Sequence, residues 1–231
     1  MKKIILVSLI MMFGNSLASD GVYAINSVCD GFGCFPGDSN GLPVTISEPG
    51  SYQLTSNLVS TSAVTDVIEI TADNVTLDLN GFSIIGPRTC TGDNASLSCS
   101  NSGMTAHGVS AVGRKNIKVK NGIVKGFDTG VSLTSINSRG NVVENIQSSE
   151  NEFGITVING MVNNCVANRN LDTGISNALF GSTFVKDSFA RGNKTRSIMA
   201  IACSNVYLSN NGTDNCGTYT NGSVCGGSLC P

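Results

Sequence analysis

The chain has 231 residues, 40% of them hydrophobic and only 13% charged, with a formal net charge of −2. So few charges exclude a charged coiled coil and a polyelectrolyte-like disordered chain, and the length suits one domain. With 14 basic against 16 acidic residues there is no dense basic surface, so no nucleic-acid partner is expected.

Residues 1–18 open with Lys2 and Lys3, continue through the apolar run Ile4 to Phe13 and end on Ser16-Leu17-Ala18. This is the pattern of a secretory signal peptide, and no later apolar stretch approaches the roughly 20 residues needed to span a bilayer. The mature chain is therefore expected to be secreted or periplasmic, with no membrane span. Removing the two lysines leaves 12 basic residues against 16 acidic, a net charge of −4. Residues 19–45 read as an N-terminal cap segment containing Cys29 and Cys34. Those two, with Cys90 and Cys99, Cys203 and Cys216, and Cys225 and Cys230, form four sequence-local couples, expected to be disulfides in an oxidising compartment. None has the C-x-x-C spacing of a metal site, and the only histidine, His107, lies far from the dense clusters.

From residue 46 to 217 the chain repeats itself. A Gly followed by an apolar residue recurs at Gly108, Gly130, Gly154 and Gly174, with Ser197 next, at intervals of 22, 24, 20 and 23 residues. A second short apolar run follows each start: Ile117 to Val119, Val142-Val143, Val162, Phe184-Val185, then Val206 to Leu208. Upstream, ITADNVTLDLNGFSIIG (Ile70 to Gly86) has the same form, and 90–105 interrupts the pattern as a loop excursion. The runs are short, β-branched and bounded by Asn, Gly, Ser or Asp, which predicts short strands and leaves no room for helices. The 26 Asn and 27 Gly supply the turns. A leucine-rich repeat would need a Leu lattice that is absent; stacked coils joined by parallel pairing fit better. Asn121, Asn145, Cys165 and Ser188, with Asn80 upstream, are expected to form an inward ladder after the second strand, with Cys165 as a buried structural thiol.

NVTLDLNGFSIIG, the Gly-apolar starts and the Asn column together make the chain resemble the right-handed parallel β-helix proteins of the pectate-lyase-like superfold. The lead-in CFPGDSNGLPVTISEPGSYQLTSNL looks like that of exported bacterial β-helix proteins of unassigned activity. The resemblance implies an all-β, single-stranded parallel β-helix of roughly seven coils, about 34 Å long at about 4.8 Å per coil, with disulfide-rich caps and a Cys-rich tail at 218–231. It also implies that any site lies on the outer face of one sheet or in loops beside it, with a polysaccharide as ligand. Related enzymes use calcium to hold uronate substrates.

Four features bear on such a site. The first outward column of the coil starts reads Ser110, Ser132, Thr156, Ser176 and Met199, without the paired carboxylates that acid–base catalysis needs. Ala106-His107-Gly108 matches one polygalacturonase motif, but with no Asp-Asp in the chain it reads as accidental and His107 as a loop residue. Asp128, Glu152 and Asp172 each precede a start Gly by two residues and should stack roughly 5 Å apart, either as a solvated turn column or as a calcium site. Arg114, Lys115, Lys118, Lys120 and Lys125, with Arg139 on the next coil, form a basic set that reads as solvated surface, as a face for a polyanionic sugar, or as the source of a β-elimination base. The leading expectation is a carbohydrate-binding or surface-associated protein without intact catalytic machinery. The alternatives are a calcium-dependent lyase or epimerase acting on uronate polymers, and a structural spacer.

Overall fold

Short β-branched segments closed by Asn and Gly corners fold into two long parallel sheets. We describe them from a computed structural model covering residues 21–29, 33–177, 181–213, 216, 219–220, 223–225 and 228–229. The predicted signal segment 1–18 lies outside the described residues, as does Cys230 of the expected Cys225–Cys230 couple. Sheet I has seven strands in chain order: Val44–Ile46, Ile68–Ile70, His107–Val112, Thr129–Thr134, Phe153–Val157, Thr173–Ser176 and Arg196–Met199. Every pairing is parallel, and Ile68, Val109, Val131, Ile155, Ile175 and Ile198 form one aligned, fully buried column. This is the register predicted from the Gly-apolar starts.

Sheet II has sixteen strands and two limbs, because the chain crosses it twice per repeat. Lys118–Lys125 and Asn141–Ser149 run through both limbs, and later repeats split into pairs such as Gly160–Asn163 and Val166–Asn168. Val119, Val143, Val162, Val185 and Cys203 align in the first limb; Val124, Ser148, Ala167, Ala190 and Leu208 align in the second. The Val206 to Leu208 run therefore belongs to the second limb, and Ala202–Ser204 continues the first. No α-helix occurs among the described residues, and none is long and apolar enough to cross a membrane.

The corner between the limbs departs from the predicted ladder. Asn80, Asn121, Asn145, Asn164, Asp187 and Asn205 all have φ between 48° and 60°, a left-handed conformation that Asn and Asp tolerate. That turn points their side chains outward. Asn121 Nδ2 donates to Asp78, Asn145 to Asn121 at 3.0 Å and Asn164 to Asn145 at 2.6 Å. The ladder is real but lies on the outside. Cys165 falls one residue later, on the inside, where burial pushes its thiol up to about 12, as befits an inert structural group.

A second ladder, unanticipated from sequence, sits at the corner leading into sheet I. Asn151, Asn170 and Asn193 are fully buried; the Asn151 side-chain oxygen accepts from the Phe127 backbone N–H, and those of Asn170 and Asn193 each accept from the preceding asparagine's backbone N–H and side-chain amide. Asn211 receives the same pair from Asn193 at 3.0 and 2.9 Å. The start glycines make room for it: a Cβ on Gly174 would lie 2.7 Å from Asn193 Nδ2 and 2.6 Å from the Ser197 carbonyl oxygen.

The ends and the excursion complete the fold. Tyr23–Ile25 adds a strand beside Gly50–Leu54, and Tyr23, Phe35 and Tyr52 pack ring to ring at 5.0 to 5.3 Å. Beyond residue 217 the parallel pairing continues through Tyr219–Thr220 and Val224–Cys225, which closes antiparallel on Ser228–Leu229. Disulfides join Cys29 to Cys34, Cys90 to Cys99 and Cys203 to Cys216, as expected of an oxidising compartment. The Cys90–Cys99 hairpin lies along later turns: Arg169 donates to the Cys90 carbonyl, Lys194 to that of Leu97, and Asn210 to the Asp93 carboxylate.

Candidate functional site

The outer face of sheet I concentrates the groups that could recognise a ligand. Glu69, Ser110, Ser132, Thr156, Ser176 and Met199 align in one outward column. From Ser110 onward it is uncharged, as the sequence predicts. A groove of about 370 Å³ runs over it, floored by Ser132, Thr156 and Ser176 and flanked by Phe153, Arg196 and Asp172.

Charge enters from the rim, at the residues that precede each strand. Asp128, Glu152 and Asp172 stack on successive repeats as predicted, with the backbone N–H of Asp172 donating to the Glu152 carbonyl at 2.8 Å and that of Phe153 to the Asp128 carbonyl at 2.8 Å. Their surroundings differ. Glu152 accepts from the buried guanidinium of Arg88 at 3.0 Å, and Arg196 approaches Asp172 at 3.9 Å. Two of the three carboxylates thus already face a guanidinium, which disfavours a bound cation. No group of three or more His, Cys, Asp or Glu side chains converges as a metal site among the described residues.

His107 is not a loop residue. It begins the strand His107–Val112, and Asp66, aligned one repeat earlier, accepts its backbone N–H at 2.7 Å and its ring Nδ1 at 3.0 Å. Burial raises the Asp66 carboxyl, but the hydrogen bonds from His107 and Ser110 outweigh it and hold the group below its ordinary value. Burial pushes His107 down, and the bond and charge of Asp66, with the charge of Asp128, more than reverse that. Asp128 is lifted chiefly by burial, against the pull of His107. An ionised Asp66 fixes the proton on Nδ1 and leaves Nε2 to accept or donate one beside a carboxyl of raised pKa, a pairing suited to acid–base chemistry.

The linkage has a definite sign. The raised His107 pKa contributes stability that is complete below 6.5 and fades as pH rises through the folded-state value. The lowered Asp66 pKa contributes stability present above 3.8 and lost as pH falls through its folded-state value. The histidine ring resonances followed by NMR should titrate above 6.5 in the native chain and drop to 6.5 or below in Asp66→Asn. A native midpoint at or below 6.5 would contradict this geometry.

The predicted basic set does not gather into one face. Lys118 pairs with Glu144 at 2.8 Å and Lys120 with Asp78 at 3.2 Å, so these two outward lysines are neutralised where they stand. Arg114 and Arg139 sit at the turn after sheet I, where Arg139 bridges to exposed Lys115 and Arg114 Nε donates to the Val112 carbonyl. Lys125 alone reaches the second limb of sheet II, where it lines a separate groove with Arg169. Strand parity placed Lys118 and Lys120 outward correctly; their partners come from other repeats and could not be read locally.

No protein-family model, curated protein or solved structure matches the chain.

Proposed function

We propose that the chain is an exported right-handed parallel β-helix protein that binds a polysaccharide along the outer face of sheet I. The observation that carries this is the groove over that face. Its floor of Ser and Thr hydroxyls, the half-buried Phe153 ring and the Arg196 and Asp172 side chains at its rim supply the apolar contact and few placed polar groups of a small-ligand site. Aligned strands repeat those hydroxyls along the rod, so an extended polymer meets the same donors and acceptors at each repeat. The three disulfides and the resemblance to exported β-helix proteins support export.

A glycan array or polysaccharide pull-down should capture the mature protein. Phe153→Ala and Arg196→Ala should each weaken capture by about tenfold, as for central contacts of an interface. Lys118→Ala, on the other sheet, should leave it unchanged. Absence of any captured glycan, or equal loss in all three variants, would sink this reading.

The Asp66–His107 contact supports a second reading, in which a separate concavity earlier along sheet I, lined by Asp66, Glu69 and His107, cleaves the bound ligand. Release of reducing ends or of unsaturated uronate from a bound polysaccharide, abolished by His107→Ala, would favour it over binding alone.

A further inference from the structure

Among the described residues the cations without a carboxylate partner are Lys194, which donates to the Leu97 carbonyl, and two groups. One is the turn carrying Arg114, Lys115 and Arg139, where Lys115 and Arg139 are exposed. Solvation accounts for that group. The other is the outer face of the second limb of sheet II, on the opposite side of the corner from the sheet I groove.

There Ile85, Lys125, Ser149, Asn168 and Arg191 form a single outward column through five aligned strands. A groove of about 360 Å³ lies over its first four members, edged by Gln147 and by Arg169. Lys125 and Arg191 have no ion-pair partner among the described residues. Arg169 shares Glu150 at 3.1 Å and donates to the Cys90 carbonyl at 3.0 Å, which fixes its guanidinium at the groove edge. Asp93, the other carboxylate beside this stripe, is occupied by the Asn94 backbone N–H and the Asn210 amide. Lys125, Arg169 and Arg191 against Glu150 and Asp93 leave a local excess of one positive charge on a chain whose formal net charge is −2. At physiological salt the screening length is about 8 Å, so a ligand in the groove senses this local excess more than the distant negative charge.

Spacing selects the ligand. Lys125 and Arg191 stand three strands apart, about 14 Å at the usual inter-strand distance, with the Ser149 hydroxyl and Asn168 amide between them. A single small anion cannot touch both cations. A nucleic-acid strand carries charge far more densely than two cations at this spacing can match, and it gains most from aromatic faces on which bases stack. Phe189 and Tyr207, on the same limb as Arg191, stack on each other at 4.9 Å, which takes up one face of each ring. Sparse anions on a hydroxyl-rich backbone match the column better.

We propose that this face is a second glycan site, distinct from the groove on sheet I, that takes an extended acidic polysaccharide whose carboxylate or sulfate groups bridge Lys125 and Arg191. The proposal stands whether or not sheet I binds a glycan. Affinity electrophoresis of the full chain through gels containing neutral dextran, carboxymethyl dextran or dextran sulfate tests it on one backbone with different anions. Retardation is expected with one or both charged dextrans and not with the neutral one; the stronger of the two identifies the anion. Lys125→Gln with Arg191→Gln should weaken that retardation about tenfold, as expected when the phosphate-like ionic contacts of a polyanion site are removed. Lys118→Gln with Lys120→Gln, and Arg196→Ala, should retain it. Three results would overturn the proposal: no retardation by either charged polymer, equal loss from the Lys118 and Lys120 changes, or equal binding of a single-stranded oligonucleotide with the same dependence on Lys125 and Arg191. Thermal melts of both double variants confirm that folding is unchanged, because all four side chains lie at the surface.

Discussion

Asn170→Ala is expected to destabilise the protein by about 3 kcal/mol, among the largest costs of any uncharged single substitution. Asn170 is fully buried at the centre of the inner ladder. Its side-chain oxygen accepts from the Asn151 backbone N–H and amide at 3.2 Å each, and its amide donates to Asn193 at 3.0 Å and to the Ser148 carbonyl at 3.3 Å. Alanine removes all four bonds. Asn151 Nδ2 keeps Ser148 Oγ at 2.9 Å, but the Asn151 backbone N–H is left buried without an acceptor. Such a group loses its full hydration free energy with nothing in return. In the outer ladder Asn145→Gly provides the comparison: glycine tolerates its φ of 53°, and the half-buried Asn121 and exposed Asn164 can turn to water. It should cost less than about 1 kcal/mol. Urea denaturation of both variants checks the contrast, and an Asn170→Ala loss no greater than that of Asn145→Gly would mean the inner ladder does not bind the repeats together.

Arg88→Ala should cost about 3 to 4 kcal/mol, lowering the melting midpoint by roughly 6 to 16 °C for a chain of this size. Its side chain has no solvent exposure, and its guanidinium meets Glu152 at 3.0 Å while Nε and the second terminal nitrogen find no partner among the described residues. Removing it leaves a cavity and exposes Glu152 to Asp128 and Asp172 on the adjoining repeats, about 4.8 Å away along the sheet. The incompletely bonded arginine is itself a costly group. Replacing both partners, as Arg88→Met with Glu152→Gln, should therefore return stability to within about 1 kcal/mol of the native chain. Thermal melts of the single and double variants check this: a double variant as unstable as Arg88→Ala would show that Arg88 provides a specific ion pair that neither filling its volume nor neutralising Glu152 replaces.

The repeat was legible because it is written in local signals. Gly130, Gly154 and Gly174 mark the strand starts, and alternation of apolar and polar residues after them sets which side chains enter the core; the aligned column from Val109 to Ile198 follows. The same parity placed Ser132, Thr156 and Ser176 outward. The inner ladder carried a signal too, since Asn151, Asn170 and Asn193 each stand three or four residues before a strand-start residue. It was obscured by the density of other asparagines. The outer ladder was found but turned the wrong way, because the inward or outward sense of a single left-handed residue depends on the angle between the two limbs it joins.

The candidate site was less legible for a different reason. Asp66 and His107 are 41 residues apart, Arg88 and Glu152 are 64 apart, and Lys120 meets Asp78 across the excursion. Sequence spacing ranks such residues as isolated charges, whereas parallel pairing brings each one strand or so from its partner.

By itself the sequence determined the strand period, the residues of the core column, the polar floor of sheet I and the stacking of Asp128, Glu152 and Asp172, all of which follow from local propensity and a period of two. Only the tertiary structure decided which charges survive. Pairing across repeats neutralises Lys118, Lys120 and Glu152, joins His107 to Asp66, and leaves Lys125 and Arg191 without carboxylate partners, because electrostatic interaction depends on distance through space and the sheet register sets that distance.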